Sequence, residues 1–326
     1  MKSFKILLGL LAFTSASQSQ VFDYSLTNTW HNEPQKHVML PVFDSAAAVG
    51  ILDERNIEYS VEGKDIAMYH SFHRIVKINT DAGIEMFNKV YIPLSPNALL
   101  SNVKARAVLK NGKVIIVPAD KFKEITEDGR KYQLFAMEGL EKGAEVEYTY
   151  TLKKNTTFFG MEVFQSGSIP NQKMVFTLSV PQHLKFDAKG YNGFKISADS
   201  LIGDKRIIVG YAENVPEIEE EKYAVKNPYL KRVEYKLSYN LSGNPNVRIY
   251  TWKDFAKRAY TNYTTVAPKD VKPLNSFFAQ LKMDNAAGEV NKITLIENFI
   301  KTSINVDKEL IGEDVSTIEH AFKNRS

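Results

Sequence analysis

From about Ala46 to Tyr239 large apolar residues recur at every second position. In "EVEYTYTL" Val146, Tyr148, Tyr150 and Leu152 alternate with Glu145, Glu147, Thr149 and Thr151. "KMVFTLSV" places Met174, Phe176, Leu178 and Val180 in the same way, and "RVEYKLSY" places Val233, Tyr235, Leu237 and Tyr239. Successive side chains of a strand point to opposite faces, so this period predicts half-buried strands with one face on a core and one in water, as in antiparallel sheets. Turn chemistry agrees. Asn111-Gly112 separates "VKARAVLK" from "KVIIVP" and Asp128-Gly129 separates "FKEIT" from "KYQLFAM", both strong hairpin signals because the central residues of such turns take positive φ. About a dozen strand candidates and no long helix precede residue 250, which predicts a large all-β sandwich.

After Ile249 the period becomes helical. Thr251 and Asp254 have the spacing of a capping box, with Asp in place of the usual Glu or Gln. Beyond it Trp252, Phe255, Ala256, Ala259, Tyr260 and Tyr263 fall on one helical face. Val271, Leu274, Phe277, Phe278 and Leu281 form a second stripe, with Pro273 expected in its first turn. Val290, Ile293, Ile296, Phe299, Ile300 and Ile304 form a third, and Val315, Ile318, Ala321 and Phe322 begin a fourth. The fold expected is therefore mainly β: a large antiparallel sandwich followed by a short helical segment. These helices must pack on each other or on a sheet supplied from elsewhere.

The first residues, "MKSFKILLGLLAFTSASQSQ", change the picture. A short basic start, an apolar run from Ile6 to Phe13 and a small-polar tail are the layout of a secretory signal peptide, with a cut expected after Ser17 or Ser19. The apolar run falls short of the roughly 20 residues a spanning helix needs, and no later stretch reaches that length. The expected organisation is a signal peptide over 1–19, a β-sandwich domain over 20–248 and a helical segment over 249–326. The expected location is periplasmic or extracellular.

The net charge is +4 over 326 residues and would fall by two with Lys2 and Lys5. So small and evenly spread a charge gives no reason to expect nucleic acid as a partner. The acidic run Glu217 to Glu221 reads as a solvated loop. There is no Cys, so an exported chain must rely on its apolar core, and it has neither a thiol nucleophile nor a Cys-based metal site.

Candidate chemistry is sparse. His70 and His73 in "HSFH" suggest a metal pair, but residues three apart in a strand point to opposite sides. His31, His37, His183 and His320 are isolated. The carboxylate pairs Asp53-Glu54 and Glu127-Asp128 read as turn residues rather than as an acid–base couple. No Gly-rich phosphate loop and no Gly-x-Ser-x-Gly elbow occurs. The aromatic residues expected to be exposed, and so available to a partner, are Phe158, Phe159, Tyr223 and Tyr229. No catalytic, cofactor-binding or metal-binding residue is assigned, and no cofactor is expected.

Three stretches carry a family resemblance: "ILDERNIEYSVEGKDIAMYHSFHRIVKI", "YIPLSPNALLSNVKARAVLKNGKVIIVP" and "GLEKGAEVEYTYTL". Together, over about Val49 to Pro181, they resemble the uncharacterised β-rich domain that precedes transglutaminase-like domains in exported bacterial proteins. The last stretch matches its "Leu-x-x-Gly-x-x-Val-x-Tyr-x-Tyr" strand through Leu140, Gly143, Val146, Tyr148 and Tyr150. "YTWKDFAKRAYTNY" and the segment from Val290 to Ser326 resemble the opening helices of the transglutaminase-like domain itself. The resemblance implies a nucleophilic Cys opening the helix just after a segment like "IEHAFKNRS", with His and Asp on later strands. None of the three has a counterpart within these residues. The function implied is an exported, non-catalytic interaction or scaffold module that meets a protein or glycan at the cell envelope. The alternatives are the N-terminal part of a Cys-His-Asp thiol hydrolase or transglutaminase with catalytic residues beyond Ser326, and a glycan-binding β-sandwich.

Overall fold

The computed structural model describes residues 30–127, 129–165, 168–218, 225–281 and 288–304. The signal-peptide segment, Tyr223, most of the acidic run and the fourth helical stripe lie outside the described residues.

The described chain is mainly β. The first strands are β1 (Ala48–Glu62) and β2 (Asp65–Ile78), followed by the short helix α1 (Asp81–Phe87). Next come β3 (Lys89–Leu94), β4 (Leu99–Val108), β5 (Val114–Ile116), β6 (Lys123–Glu127), β7 (Arg130–Ala136), β8 (Glu145–Lys154) and β9 (Phe159–Val163). The remaining strands are β10 (Asn171–Pro181), β11 (Leu184–Tyr191), β12 (Lys195–Ile196), β13 (Ser200–Ile202), β14 (Lys205–Val215) and β15 (Arg232–Asn240). Three helices close the described chain: α2 (Trp252–Thr264), α3 (Pro268–Gln280) and α4 (Glu289–Ser303).

Among the described residues, nine strands form one large sheet in the order β12-β14-β10-β1-β2-β8-β4-β5, with β13 on β14. Two three-stranded sheets, β11-β15-β9 and β3-β7-β6, accompany it. Both small sheets pack on the same face of the large one. Ile57, Tyr59, Met174, Phe176 and Leu178 meet Phe186, Val233, Tyr235 and Leu237 in one apolar cluster. Val76, Ala107, Val146 and Leu152 meet Val90, Ile92 and Phe135 in a second.

Two features depart from a simple antiparallel sandwich. The β1 and β10 strands pair in parallel, Asp53 beside Met174 and Ile57 beside Leu178. The second face of the large sheet is also not simply in water. On β8, Glu145 and Glu147 are buried, and on β10 so are Val175, Thr177 and Ser179. Residues 30–44 cross this face. Trp30 lies over Arg106, with 4.2 Å from guanidinium carbon to ring centroid. Arg106 Nη1 donates to the His31 carbonyl at 2.7 Å, and His37 Nδ1 meets Glu145 Oε2 at 2.8 Å. Leu40 N–H donates to Gln172 Oε1 at 3.0 Å. A charge can be buried only where partners replace its water, and this strap brings them.

Local expectations fare unevenly. The Glu127–Arg130 hairpin forms, with Gly129 at φ 71°. The Asn111-Gly112 turn is longer than two residues. Val108 pairs with Val114, and only Gly112 has positive φ (89°), as in a hairpin closed by a glycine bulge. Asp53 and Glu54 are mid-strand in β1, not in a turn, because each has a buried cation or imidazole on its own face. The capping box forms as expected: Asp254 N–H donates to Thr251 Oγ1 at 3.2 Å, and Thr251 N–H to Asp254 Oδ2 at 3.1 Å. Pro273 is interior to α3 rather than in its first turn, since Pro268 takes the position where a missing N–H costs nothing.

Candidate functional site

A group of charged side chains separates the two apolar clusters. Arg55, on β1, stacks 4.4 Å from the Phe164 ring of the first cluster and 5.8 Å from Phe72 beside the second. Its Nε and Nη2 each donate to Asp53 at 3.1 Å, a bidentate pair. Its Nη1 reaches Glu162 Oε2 at 3.3 Å and the Val163 carbonyl at 2.9 Å. Burial works against the Arg55 charge, but the two carboxylates hold its pKa above the usual arginine value. Burial would also raise Glu162, yet His70, Arg55 and Lys154 keep it below the ordinary glutamate value.

This group opens to the surface through a cleft of 320 Å³. Met68 and His70 of β2 line it, with Gly160 and Glu162 of β9, Ser95 and Pro96 from the β3–β4 loop, and Lys154 at the end of β8. His70 is 2% exposed. Its Nδ1 accepts from Lys154 Nζ at 2.9 Å. Its Nε2 stands 3.5 Å from Glu162 Oε2, in ion-pair rather than hydrogen-bond geometry. Burial lowers the pKa of both His70 and Lys154. Gly160 is required here: a Cβ would sit 2.3 Å from the Tyr235 hydroxyl opposite it on β15.

His73 faces the other way. Its Nε2 meets Glu147 Oε1 at 2.9 Å and its Nδ1 lies 3.7 Å from Glu54 Oε2. Glu147 Oε2 accepts from Arg106 Nε at 2.6 Å. Burial pulls the His73 pKa down, but the two carboxylates more than offset this and hold it at about 9. The two histidines therefore cannot share a ligand. Among the described residues no group of three His, Cys, Asp or Glu side chains is placed to hold a metal ion.

A second opening, of 810 Å³, lies between β9, β15 and α2. Phe159, Tyr250, Trp252, Phe255, Arg258 and Tyr263 line it. Trp252 is 83% exposed, Tyr263 90% and Phe255 60%. Phe159 meets Tyr250 edge-on at 6.0 Å. Of the aromatics singled out in sequence, Phe159 and Tyr229 are exposed. Phe158 is half-buried and stacks on Tyr59. Phe159 alone of these lines the groove. The sequence places Trp252, Phe255 and Tyr263 on one helical face, and helical period marks a face without saying what covers it. His70, Lys154 and Glu162 come from three strands, and nothing in their spacing announces the cluster.

Residues 64–219 match the family model of DUF3857, a domain of unknown function with a solved structure. The crystal structure of a predicted protease from Parabacteroides distasonis aligns with 86% of this chain at a TM-score of 0.62 and 15% identity. That likeness shows a shared fold. The chain covers 55% of that protein, and so spans about half its length. An aminopeptidase A from Legionella pneumophila aligns at a TM-score of 0.33 and 9% identity, over 59% of this chain and 22% of its own. An M1 zinc metallopeptidase from Deinococcus radiodurans aligns at 0.30 and 9%, over 58% and 42%. At such scores the likeness bears on neither fold nor function. No curated protein matches the chain.

Proposed function

We propose that this chain is a non-catalytic interaction module at the cell envelope that works beside a transglutaminase-like catalytic domain. The observation that carries this reading is the aromatic groove of Trp252, Phe255, Tyr263 and Phe159. Monomeric proteins rarely leave such contiguous apolar surface uncovered, and aromatic residues dominate the centres of protein interfaces. The buried ionic groups support the same reading. The histidines are fixed among carboxylates and a lysine rather than poised beside a nucleophile, and the sequence has no Cys. Among the described residues no helix is long and apolar enough to cross a membrane. An envelope location rests on the signal-like first nineteen residues.

The test is hydrolysis of fluorescein-labelled casein by the purified chain. The rate should equal that of buffer. Hydrolysis that follows the chain through purification and disappears with His70→Gln would overturn the proposal.

The longer Parabacteroides distasonis protein, described as a predicted protease, favours a second reading. In it this chain is the N-terminal part of a thiol hydrolase. A codon for Cys within about ten residues of Ser326, opening an apolar helix, would support that reading.

A further inference from the structure

The cleft at His70 has a free strand edge for one wall. Among the described residues the β9 strand is at the edge of its sheet, paired only with β15. Leu237 N–H donates to the Phe158 carbonyl and Phe164 N–H to the Lys231 carbonyl. With Gly160 opposite Tyr235, the antiparallel alternation turns the even-numbered residues of β9 towards β15 and the odd-numbered ones outward. Two outward carbonyls are engaged: Phe159 accepts from Thr157 Oγ1 at 3.2 Å, and Val163 from Arg55 Nη1 at 2.9 Å. Among the described residues neither the N–H nor the carbonyl of Met161 has a main-chain partner.

The cleft is lined by one cation, Lys154, and one carboxylate, Glu162. Glu162 is already engaged from below by Arg55 at 3.3 Å and by His70 at 3.5 Å. The Lys154 ammonium, half-buried, has His70 Nδ1 as its hydrogen-bond partner at 2.9 Å; Glu162 favours its charge from farther off, and among the described residues no carboxylate forms an ion pair with it. His70 Nε2 is buried without a hydrogen bond. A half-buried ammonium without a carboxylate bonded to it, beside an open strand edge, suits an anion carried on a strand.

We propose that the cleft binds an extended peptide that adds as a strand to β9, pairing with Met161 and directing a carboxylate inward to Lys154. Strand addition takes affinity from main-chain hydrogen bonds and specificity from every second side chain. The inward positions of the added strand lie on the side of Gly160 and Glu162, where Lys154 and His70 wait. This inference stands whether or not the aromatic groove docks a protein.

The test is fluorescence polarisation with two labelled peptides, Thr-Val-Thr-Glu-Thr-Val-Thr-amide and its glutamine counterpart, added to the full chain. The glutamate peptide should bind at least tenfold more tightly, and Lys154→Gln should remove that preference. Met161→Pro removes an outward N–H that β15 does not use, an edge position that tolerates proline, and should weaken both peptides tenfold. A glutamate peptide N-methylated along its backbone should bind as weakly to the unaltered protein, which keeps the test independent of any folding defect. No binding by either peptide, equal binding of both, or undiminished binding of the N-methylated peptide would overturn the inference. Tighter binding of the free-acid glutamine peptide than of its amide would move the carboxylate to the peptide C-terminus. Tyr263→Ala, which alters the aromatic groove away from Gly160 and Met161, should leave the titrations unchanged; loss of binding there would assign the peptide to the groove and refute the cleft.

Discussion

His70 and His73 stand three residues apart on β2 and project from opposite faces of the large sheet. His70 reaches Glu162 and Lys154 beneath a small sheet, while His73 lies between Glu54 and Glu147 on the strap side. Burial dominates the one and carboxylates the other, so their pKa values move in opposite directions.

The first prediction concerns alkaline pH. His73 is held at about 9 when folded, against about 6.5 in an unfolded chain. Its stabilising contribution is complete below the unfolded value and is lost as pH rises through the folded one. Between pH 6.5 and 9 the protein should lose up to about 3 kcal/mol from this group, at roughly 1.4 kcal/mol per pKa unit. Urea unfolding at pH 6 and pH 9.5 measures the loss, and His73→Gln should flatten the difference.

Acid should act through the carboxylates. Glu145, Glu147 and Glu162 are each lowered despite burial, which opposes the shift. Their contribution is present above the ordinary glutamate value and disappears as pH falls through the folded one. Glu147→Ala should cost roughly 3–5 kcal/mol at neutral pH, because Arg106 would remain buried without its counter-charge and His73 would keep only the more distant Glu54. Thermal unfolding of the two proteins reads this directly.

Gly160→Ala tests the fit between β9 and β15. The added methyl would meet the Tyr235 ring and hydroxyl at 2.3–2.4 Å, an overpacking that should cost about 1–3 kcal/mol. Tyr235→Leu in the same chain should restore part of the loss, and denaturant midpoints for the single and double variants decide it.

The strap makes a local prediction. Trp30 covers Arg106 at 4.2 Å, and Trp30→Ala should cost about 1–2 kcal/mol through the lost cation–π contact and packing. Hydrogen exchange should rise first at Leu40 N–H, bonded to Gln172, and only later in β10.

The strands, the helical turnover near residue 250 and the Thr251 cap were legible in sequence, because their signals are local. What was not legible is what depends on neighbours remote in the chain. Glu145 and Glu147 alternate with apolar residues as water-facing positions do, yet residues 30–44 bury them. The polar run Asp53 to Asn56 breaks the period because β1 carries charges buried on both faces. The parallel β1–β10 pair follows from a crossover of more than a hundred residues that no local pattern encodes. The α1 helix had a readable signal: Thr80 Oγ1 accepts from Gly83 N–H as its cap. The candidate cleft draws on β2, β8 and β9, so its charge balance emerges only when the sheets meet.

The aromatic groove is the centre of this account, and photo-crosslinking tests it most directly. With benzoylphenylalanine in place of Tyr263, irradiation of the producing cells should join the chain to a transglutaminase-like domain, identified by mass spectrometry. The same probe at Leu201, 57% exposed and away from the groove, should give no such product. Equal crosslinking at both positions, or none at Tyr263, would contradict the account.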